Sequence, residues 1–170
     1  MNHEEVIDTK TIRLLRDHGI AYKLLPHSEP VYTVSQAAEQ RGVVPEEMVK
    51  SILLRETGRE RYVMACVLGP DKLDHRAVRE FLPGEWQRLT FAGDSEILSV
   101  TGYPRGAVNP LCMPPDVPVI FDNAISRCQR VNISAGDLMY GVELAGSDLI
   151  HLANARLAHI AIKNIGAKTD

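Results

Sequence analysis

The sequence predicts a single α+β domain with a mixed sheet. Its 170 residues are close to the roughly 150 residues of one typical domain. Segments with helical spacing of apolar residues are intermingled with short apolar runs typical of strands, and several of these runs are joined as hairpins. The chain has no internal repeat and no linker-like stretch. We therefore expect residues 1–170 to form one domain.

The first part of the chain predicts short helices separated by extended pieces. In order, these are a helix indicated by the near-helical spacing of Ile12, Leu15 and Ile20, an extended piece over 21–25, a helix over 36–40 and a helical turn over 45–47. Thr9 or Thr11 is a candidate N-cap for the first helix, and Gly19 ends it. Ser35 is the expected N-cap of the second helix, and Gly42 closes it. Lys50 then lies where the helical turn gives way to a strand.

The middle of the chain predicts a hairpin and two helices. The apolar runs 51–55 and 62–68 flank a turn, and their near-continuous apolar character is typical of central strands covered on both faces. The amphipathic segment 71–82 predicts a helix that ends at Pro83. A shorter helix follows over 94–100, capped by Asp94 and closed by Gly102.

The last third of the chain begins with an irregular segment. Residues 103–118 contain six prolines and glycines and show neither helical nor strand periodicity. Structureless segments of this length inside a domain are usually functional or disordered. Strands are then predicted over 117–121, 130–134 and 141–144, followed by a helix over 149–152 capped by Ser147 and Asp148.

Composition and motifs exclude several classes of function. The net charge is −3, and no block of five like charges occurs, which excludes a non-specific DNA-binding surface. The three cysteines are far apart and form no CxxC pattern, and no HExxH pair is present, so we expect no metal ion. No GxSxG, Walker or GxGxxG motif occurs, and we expect no cofactor. Without a signal peptide or membrane span, the chain is expected to be cytoplasmic.

Three segments are candidates for chemistry. The stretch 101–110 combines glycines and prolines, so it can present backbone N–H groups in a fixed array to an anion or carbonyl. The small residues Ser134, Ala135 and Gly136 follow a β-branched strand and permit close approach of a ligand. Lys50 can project into a cleft at the end of the sheet. Each segment also has a structural explanation, as a connecting turn or a surface lysine.

Taken in order, these segments resemble the YbaK/prolyl-tRNA-synthetase-associated domain family, which includes free-standing aminoacyl-tRNA deacylases and inserted editing domains. The resemblance is carried by MVKSILL at 48–54, TGYPRGAVNPL at 101–111 with its GxxxP loop, and VIFD at 119–122. Three short segments complete it: SAG at 134–136, VEL at 142–144 and SDL at 147–149. It extends from the first helix to Ile162. The GxxxP loop within TGY…P, together with an upstream lysine, is a fairly specific pattern for this family, although none of these segments is specific by itself.

The resemblance implies a fold, an activity and a set of site residues. The family fold is a mixed, barrel-like sheet wrapped by helices, and members hydrolyse the ester of a mischarged tRNA, typically a prolyl tRNA. Lys50 corresponds to the functionally required lysine, and the loop from Gly106 to Pro110 holds the terminal adenosine and the aminoacyl carbonyl. The other residues assigned to the substrate site are Ser51, Thr33, Gly102, Tyr103, Ala107, Val108, Asn109, Ser134, Ala135 and Gly136.

This site needs no enzyme nucleophile, because an aminoacyl ester is already activated. Water or the neighbouring ribose hydroxyl can attack while backbone N–H groups stabilise the oxyanion. A charged Lys50 would anchor a phosphate or carbonyl oxygen, whereas a role as a base requires burial to lower its pKa; we favour the electrostatic role.

The chain also departs from the family pattern. Where many relatives place a basic residue and a second glycine after the SAG segment, it has Asp137-Leu138-Met139-Tyr140, and Thr33 replaces a bulkier pocket residue.

Two other functions remain open. One is a non-catalytic module that binds the aminoacyl-tRNA end or a nucleotide without hydrolysis. The other is a domain that binds an aminoacyl-tRNA synthetase through an apolar surface patch. The partners expected from the sequence are thus a tRNA 3′ end and a synthetase, and neither a membrane nor DNA.

Overall fold

The computed structural model describes residues 7–163. The helices are α1 (Lys10–Asp17), α2 (Val34–Arg41), α3 (His75–Phe81), α4 (Asp94–Thr101) and α5 (Gly146–Leu152), with 3-10 turns at Pro45–Glu47 and Asn123–Arg127. The strands are β1 (Tyr22–Pro26), β2 (Val49–Glu56), β3 (Tyr62–Leu68), β4 (Lys72–Leu73), β5 (Leu89–Phe91), β6 (Val119–Asp122), β7 (Arg130–Asp137), β8 (Tyr140–Ala145), β9 (Arg156–Ala158) and β10 (Ala161–Ile162).

The strands form three sheets. A five-stranded sheet has the order β5-β2-β3-β6-β9, a three-stranded sheet has the order β1-β8-β7, and β4 pairs with β10. Within the larger sheet β6 runs parallel to β3 and β9, whereas the other pairs are antiparallel. A bridge between Met48 and Asn132 joins the two larger sheets. The mixed α+β architecture is confirmed, and among residues 7–163 no continuous ladder closes the three sheets into a barrel.

The hairpin of β2 and β3 lies at the centre of the molecule, as its apolar pattern predicts. Alternate side chains of β3 enter two separate cores. Met64 and Cys66 join the core formed with α1 and β7, while Val63 and Ala65 join the core formed with α3. Both faces of this hairpin are therefore covered, and Lys50 follows the first residue of β2 at the edge of the packed region.

Several predicted boundaries are wrong by a few residues. The N-cap of α2 is Thr33, whose Oγ1 accepts the N–H of Gln36 at 3.1 Å, so Ser35 lies inside the helix. Helix α3 is capped by Asp74 rather than beginning at residue 71, because Lys72–Leu73 pairs as a strand with β10. The predicted N-caps of the last two helices are wrong as well. The observed N-caps are Gly93, one position before α4, and Ala145, one position before α5, and neither has a side chain that can cap a helix.

Every helix within residues 7–163 is too short or too polar to span a membrane.

Candidate functional site

A cavity of about 690 Å³ opens between α2, the start of β2, β5 and the loop that follows α4. This volume is typical of sites for small molecules and cofactors. Six of the sequence-predicted residues line it together: Thr33, Lys50, Ser51, Gly106, Val108 and Ser134. They come from four segments that are distant in sequence, so the fold brings the lysine, the GxxxP loop and the SAG segment to one place.

The cavity is strongly electropositive. Its basic lining residues are Arg41, Lys50, Lys72 and Arg105, and no Asp or Glu of the described chain lines it. Arg105 is exposed at the rim, where its guanidinium lies 3.7 Å from the Asp94 carboxylate. A cleft lined by one sign of charge focuses the electrostatic potential and attracts ligands of the opposite sign. The lining of this cavity is therefore basic although the net charge of the chain is −3.

The ammonium group of Lys50 is held by backbone carbonyls. Nζ donates to the carbonyl of Asp71 at 2.6 Å and to that of Gly69 at 3.4 Å. Burial lowers the pKa of Lys50; the charge of Asp71 opposes this effect and that of Lys72 adds to it. An ammonium has three donors, and two are used here, which leaves one for a ligand. The two carbonyl acceptors fit a charged lysine that acts by electrostatics.

The GxxxP loop presents free backbone donors. Gly106 has a φ of +88°, and a Cβ at this position would stand 2.9 Å from both the Val31 carbonyl and Leu138 Cδ2. The N–H of Ala107 donates to the carbonyl of Pro104. The N–H groups of Gly106 and Val108, by contrast, have no protein acceptor among residues 7–163. Both residues line the cavity, so their amides can meet a substrate oxygen.

The remaining predicted loop residues hold the loop rather than line the cavity. Asn109 is buried, and its Nδ2 donates to Thr11 Oγ1 at 2.8 Å and to the Ser134 carbonyl at 3.0 Å. Its Oδ1 accepts the N–H of Leu111 at 2.9 Å. Ala107 is fully buried, and Pro110 borders a second cavity. The loop is thereby fastened to both α1 and β7.

Tyr103 and Gly102 support the same loop from its N-terminal side. The Tyr103 hydroxyl donates to the Leu111 carbonyl at 2.9 Å and therefore accepts from Thr11 Oγ1 at 2.8 Å. Burial raises the pKa of Tyr103 above that of an ordinary phenol. Gly102 closes α4 with a φ of +74°. The structure places both residues outside the cavity lining.

The SAG segment is divided between the cavity and the core. Ser134 lines the cavity, and its hydroxyl accepts the N–H of Gly136 at 3.1 Å. Ala135 is fully buried, and its carbonyl accepts from Thr9 Oγ1 at 2.6 Å. Gly136 has a φ of +86° in the bulge at the end of β7. The segment therefore positions Ser134 by bonding to α1.

Ser51 lies beside a thiol that is chemically inert. Ser51 pairs with Cys66 across the hairpin, and its hydroxyl accepts from Cys66 Sγ at 3.6 Å. Burial raises the pKa of Cys66 to about 12, so the thiol stays protonated and is a poor nucleophile. Cys66 is therefore not a candidate for a covalent role in this cavity.

Sequence reasoning missed several residues of this site. Tyr32 and Phe91 line the cavity with 56% and 67% of their surfaces exposed, and exposed aromatic faces are platforms on which nucleobases stack. Arg41 was also missed, since a basic residue in the last turn of a helix is expected for the helix dipole alone. Neither aromatic could be recognised from the sequence, because both stand beside apolar or β-branched residues as strand residues do: Tyr32 lies between Val31 and Thr33, and Phe91 follows Leu89 by two positions.

The family match follows the same residues. A model of the aminoacyl-tRNA editing domain matches residues 28–152, a range that includes most of the cavity lining. The chain belongs to the aminoacyl-tRNA editing domain family. Helix α1 lies outside this range, and its Thr11 accepts a hydrogen bond from Asn109 of the GxxxP loop.

Individual relatives show two contexts for this domain. A proline–tRNA ligase from Kosmotoga olearia is 32% identical over 116 residues, which cover 68% of this chain and 19% of that protein. The chain therefore spans about a fifth of the length of such ligases. A free-standing relative from Enterococcus faecalis, named "Putative Cys-tRNA(Pro)/Cys-tRNA(Cys) deacylase EbsC", is 24% identical and covers 91% of this chain and 94% of its own length.

A solved structure shows the same fold. The crystal structure titled hypothetical protein APE2540 superposes with a TM-score of 0.80 at 23% identity, and the match covers 91% of this chain and all of that one. The expected fold family is thus confirmed by both sequence and structure.

Proposed function

We propose that this chain hydrolyses the ester between tRNA and a wrongly attached amino acid. The observation that carries the proposal is a cavity that brings Lys50 together with the amides of Gly106 and Val108, where residues 7–163 supply neither an acidic lining residue nor an acceptor for these two amides. The substrate we favour is a prolyl tRNA carrying a small non-cognate amino acid. The proline–tRNA ligases among the relatives and the relative named as a Cys-tRNA(Pro) deacylase support this choice.

The chemistry follows from what the cavity offers. A water molecule attacks the ester carbonyl carbon, and negative charge develops on the carbonyl oxygen; attack by the vicinal ribose hydroxyl would only move the acyl group to that oxygen, and water would still have to release it. Backbone amides of the GxxxP loop donate to that oxygen, and the Lys50 ammonium adds positive charge nearby. The carbon–oxygen bond to the ribose then breaks, and the ribose oxygen takes up a proton. With water as the attacking group, the products are the free amino acid and the uncharged tRNA.

A panel of mischarged tRNAs tests this proposal. Prolyl tRNA charged separately with alanine, cysteine, serine and proline is incubated with an excess of the protein, and release of the amino acid is followed under single-turnover conditions. We expect rapid release of at least one small non-cognate amino acid and slow release of proline. The discrimination among the small amino acids is expected to be modest, since one missing group is worth about 1–3 kcal/mol.

Binding measured on the same tRNAs separates the other two functions. A non-catalytic module binds an aminoacyl-tRNA without releasing the amino acid, and this outcome would replace the hydrolase proposal. A synthetase-binding domain co-purifies stably with a synthetase and shows neither tRNA binding nor release. A non-catalytic module would be favoured if the departure at residues 137–140 altered the cavity, but these residues lie outside its lining, and Leu138 packs next to Gly106. We therefore favour the hydrolase.

A further inference from the structure

Arg41 is a basic side chain of the cavity for which the proposed chemistry has no role. It lies in the last turn of α2, next to the apolar cluster of Val31, Ala37 and Met48, and it lines the cavity together with these residues. Burial lowers the pKa of Arg41 to about 10, which still leaves the guanidinium charged at neutral pH. The cavity wall at α2 therefore carries a permanent positive charge.

Three neighbours fix the position of this guanidinium. Its Nε donates to His27 Nε2 at 3.0 Å, and Nη1 lies 3.7 Å from Met48 Sδ. His27 Nδ1 lies 2.9 Å from the Leu138 carbonyl, so it carries the proton, and Nε2 is left as the acceptor. Gly141 supplies space, because a Cβ there would stand 2.5 Å from Arg41 Cζ and 2.6 Å from Cδ.

The guanidinium has no counter-charge from the part of the chain that the structure describes. Within residues 7–163, no carboxylate oxygen lies within 4 Å of Arg41, whereas Arg55, Arg61 and Arg76 all have such partners. A largely buried charge without a partner is costly to the fold, so a side chain held in this state indicates that an anion is supplied from outside. Arginine is suited to this task, since its planar fork of donors matches two oxygens of a phosphate.

We propose that Arg41 binds the phosphodiester that precedes the terminal adenosine of the tRNA, and that His27 and Gly141 are positioning residues for it. This inference rests on the proposed function, because an esterified amino acid with an uncharged side chain brings no anion, and the phosphodiesters are then the only anions at the aminoacyl end. The cavity volume of about 690 Å³ leaves room for a nucleotide beside a small amino acid.

Nucleotide binding tests the assignment without any need for catalysis. The dissociation constants of adenosine and of 5′-AMP, which adds only the phosphate, are measured by calorimetry or NMR titration for the whole chain. We expect AMP to bind the wild type about tenfold more tightly than adenosine, the gain typical of a charge-assisted phosphate contact. Arg41→Met should abolish that gain and leave adenosine binding unchanged. Arg127→Met, at an exposed arginine outside the cavity, should behave as the wild type.

The positioning residues give a second, independent test. Gly141→Ala keeps Arg41 but displaces its guanidinium, so the AMP advantage, the factor by which AMP binds more tightly than adenosine, should fall. In Arg41→Met this advantage is already lost, and adding Gly141→Ala to that variant should not lower it further. His27→Phe should reduce the advantage as well, while His27→Gln, which keeps an acceptor for Nε, should restore part of it. A merely structural role for His27 would weaken adenosine and AMP binding equally.

The outcomes are distinguishable from those of the proposed function. An unchanged AMP advantage in Arg41→Met overturns the phosphate assignment, and so does an equal loss for adenosine and AMP. If Arg41→Met removes the AMP advantage but the wild type releases no amino acid from any mischarged tRNA, the phosphate site stands and the hydrolase proposal fails.

Discussion

Lys50 and Arg41 illustrate two ways in which a residue can keep a charge in a half-covered cavity. Lys50 is held by the carbonyls of Asp71 and Gly69, which stabilise the ammonium directly. Arg41 is held by the neutral imidazole of His27, which accepts one hydrogen bond and supplies no charge. The hydrogen-bond acceptor of the arginine is therefore a group that titrates, whereas the carbonyls that accept from the lysine do not.

This titratable acceptor predicts an effect of pH on stability. Burial lowers the pKa of His27 below 6.5; the Leu138 carbonyl and Asp137 oppose this effect, and Arg41 adds to it. As pH falls through 6.5, the unfolded chain takes up the proton before the folded chain does, so the free energy of unfolding decreases. We expect the difference in Tm between wild type and His27→Gln to shrink from pH 7.5 to pH 5. A difference that stays constant over this range would contradict a neutral, buried His27.

At the scale of elements, the loop between α4 and β6 is ordered by side chains and not by secondary structure. Asn109, Thr11 and Tyr103 form a continuous chain of hydrogen bonds that ends on the carbonyl of Leu111. Asn109 also bonds back to the amide of Leu111, which closes the chain into a ring. This ring joins the loop to α1 and fixes the backbone that presents Gly106 and Val108 to the cavity.

Removal of Asn109 tests the ring. Asn109→Ala leaves the Leu111 amide and the Ser134 carbonyl buried without their side-chain partner, and we expect a loss of about 2–4 kcal/mol in the free energy of unfolding. For a chain of this size, that corresponds to a fall in Tm of roughly 5–15 °C. Asn123→Ala is the matched control, because that side chain makes no hydrogen bond within residues 7–163. Equal Tm values for the two variants would show that the ring contributes nothing.

The same loop shows how far sequence reasoning reaches. Its glycines and prolines predicted an irregular segment that carries function, and the apolar pattern of the hairpin predicted two covered faces; the fold confirms the architecture in both places. The division of labour inside the loop could not be predicted, because Asn109 and Tyr103 are polar residues whose partners lie about 100 positions away on α1. The position of Arg41 beside Gly141 is likewise a tertiary contact.

At the scale of the whole molecule, charge is distributed unevenly. Within residues 7–163, four basic residues and no Asp or Glu line the cavity, although the net charge of the chain is −3. The sequence excluded a broad duplex-binding surface, and the structure adds that four basic side chains line one cavity. Attraction of a tRNA end is thus compatible with an acidic chain.

This distribution predicts a shallow salt dependence of tRNA binding. We expect contacts to roughly one or two phosphates, which for single-stranded nucleic acid gives a slope of about −0.7 to −1.4 in a plot of log K against log salt concentration. The measurement is the dissociation constant of uncharged prolyl tRNA between 50 and 300 mM salt. A slope steeper than about −4 would indicate an extended phosphate-binding surface instead of an end-binding cavity.

The rate of amino acid release by a Lys50 variant tests the central claim most directly. Single-turnover deacylation of the best substrate in the panel is compared among wild type, Lys50→Ala and the exposed-lysine control Lys23→Ala, after equal Tm values have shown that all three are folded. We expect Lys50→Ala to lose at least about 100-fold in rate, the typical effect of removing a group that stabilises an oxyanion, and Lys23→Ala to match the wild type. Full activity in Lys50→Ala would contradict the proposed function of the site.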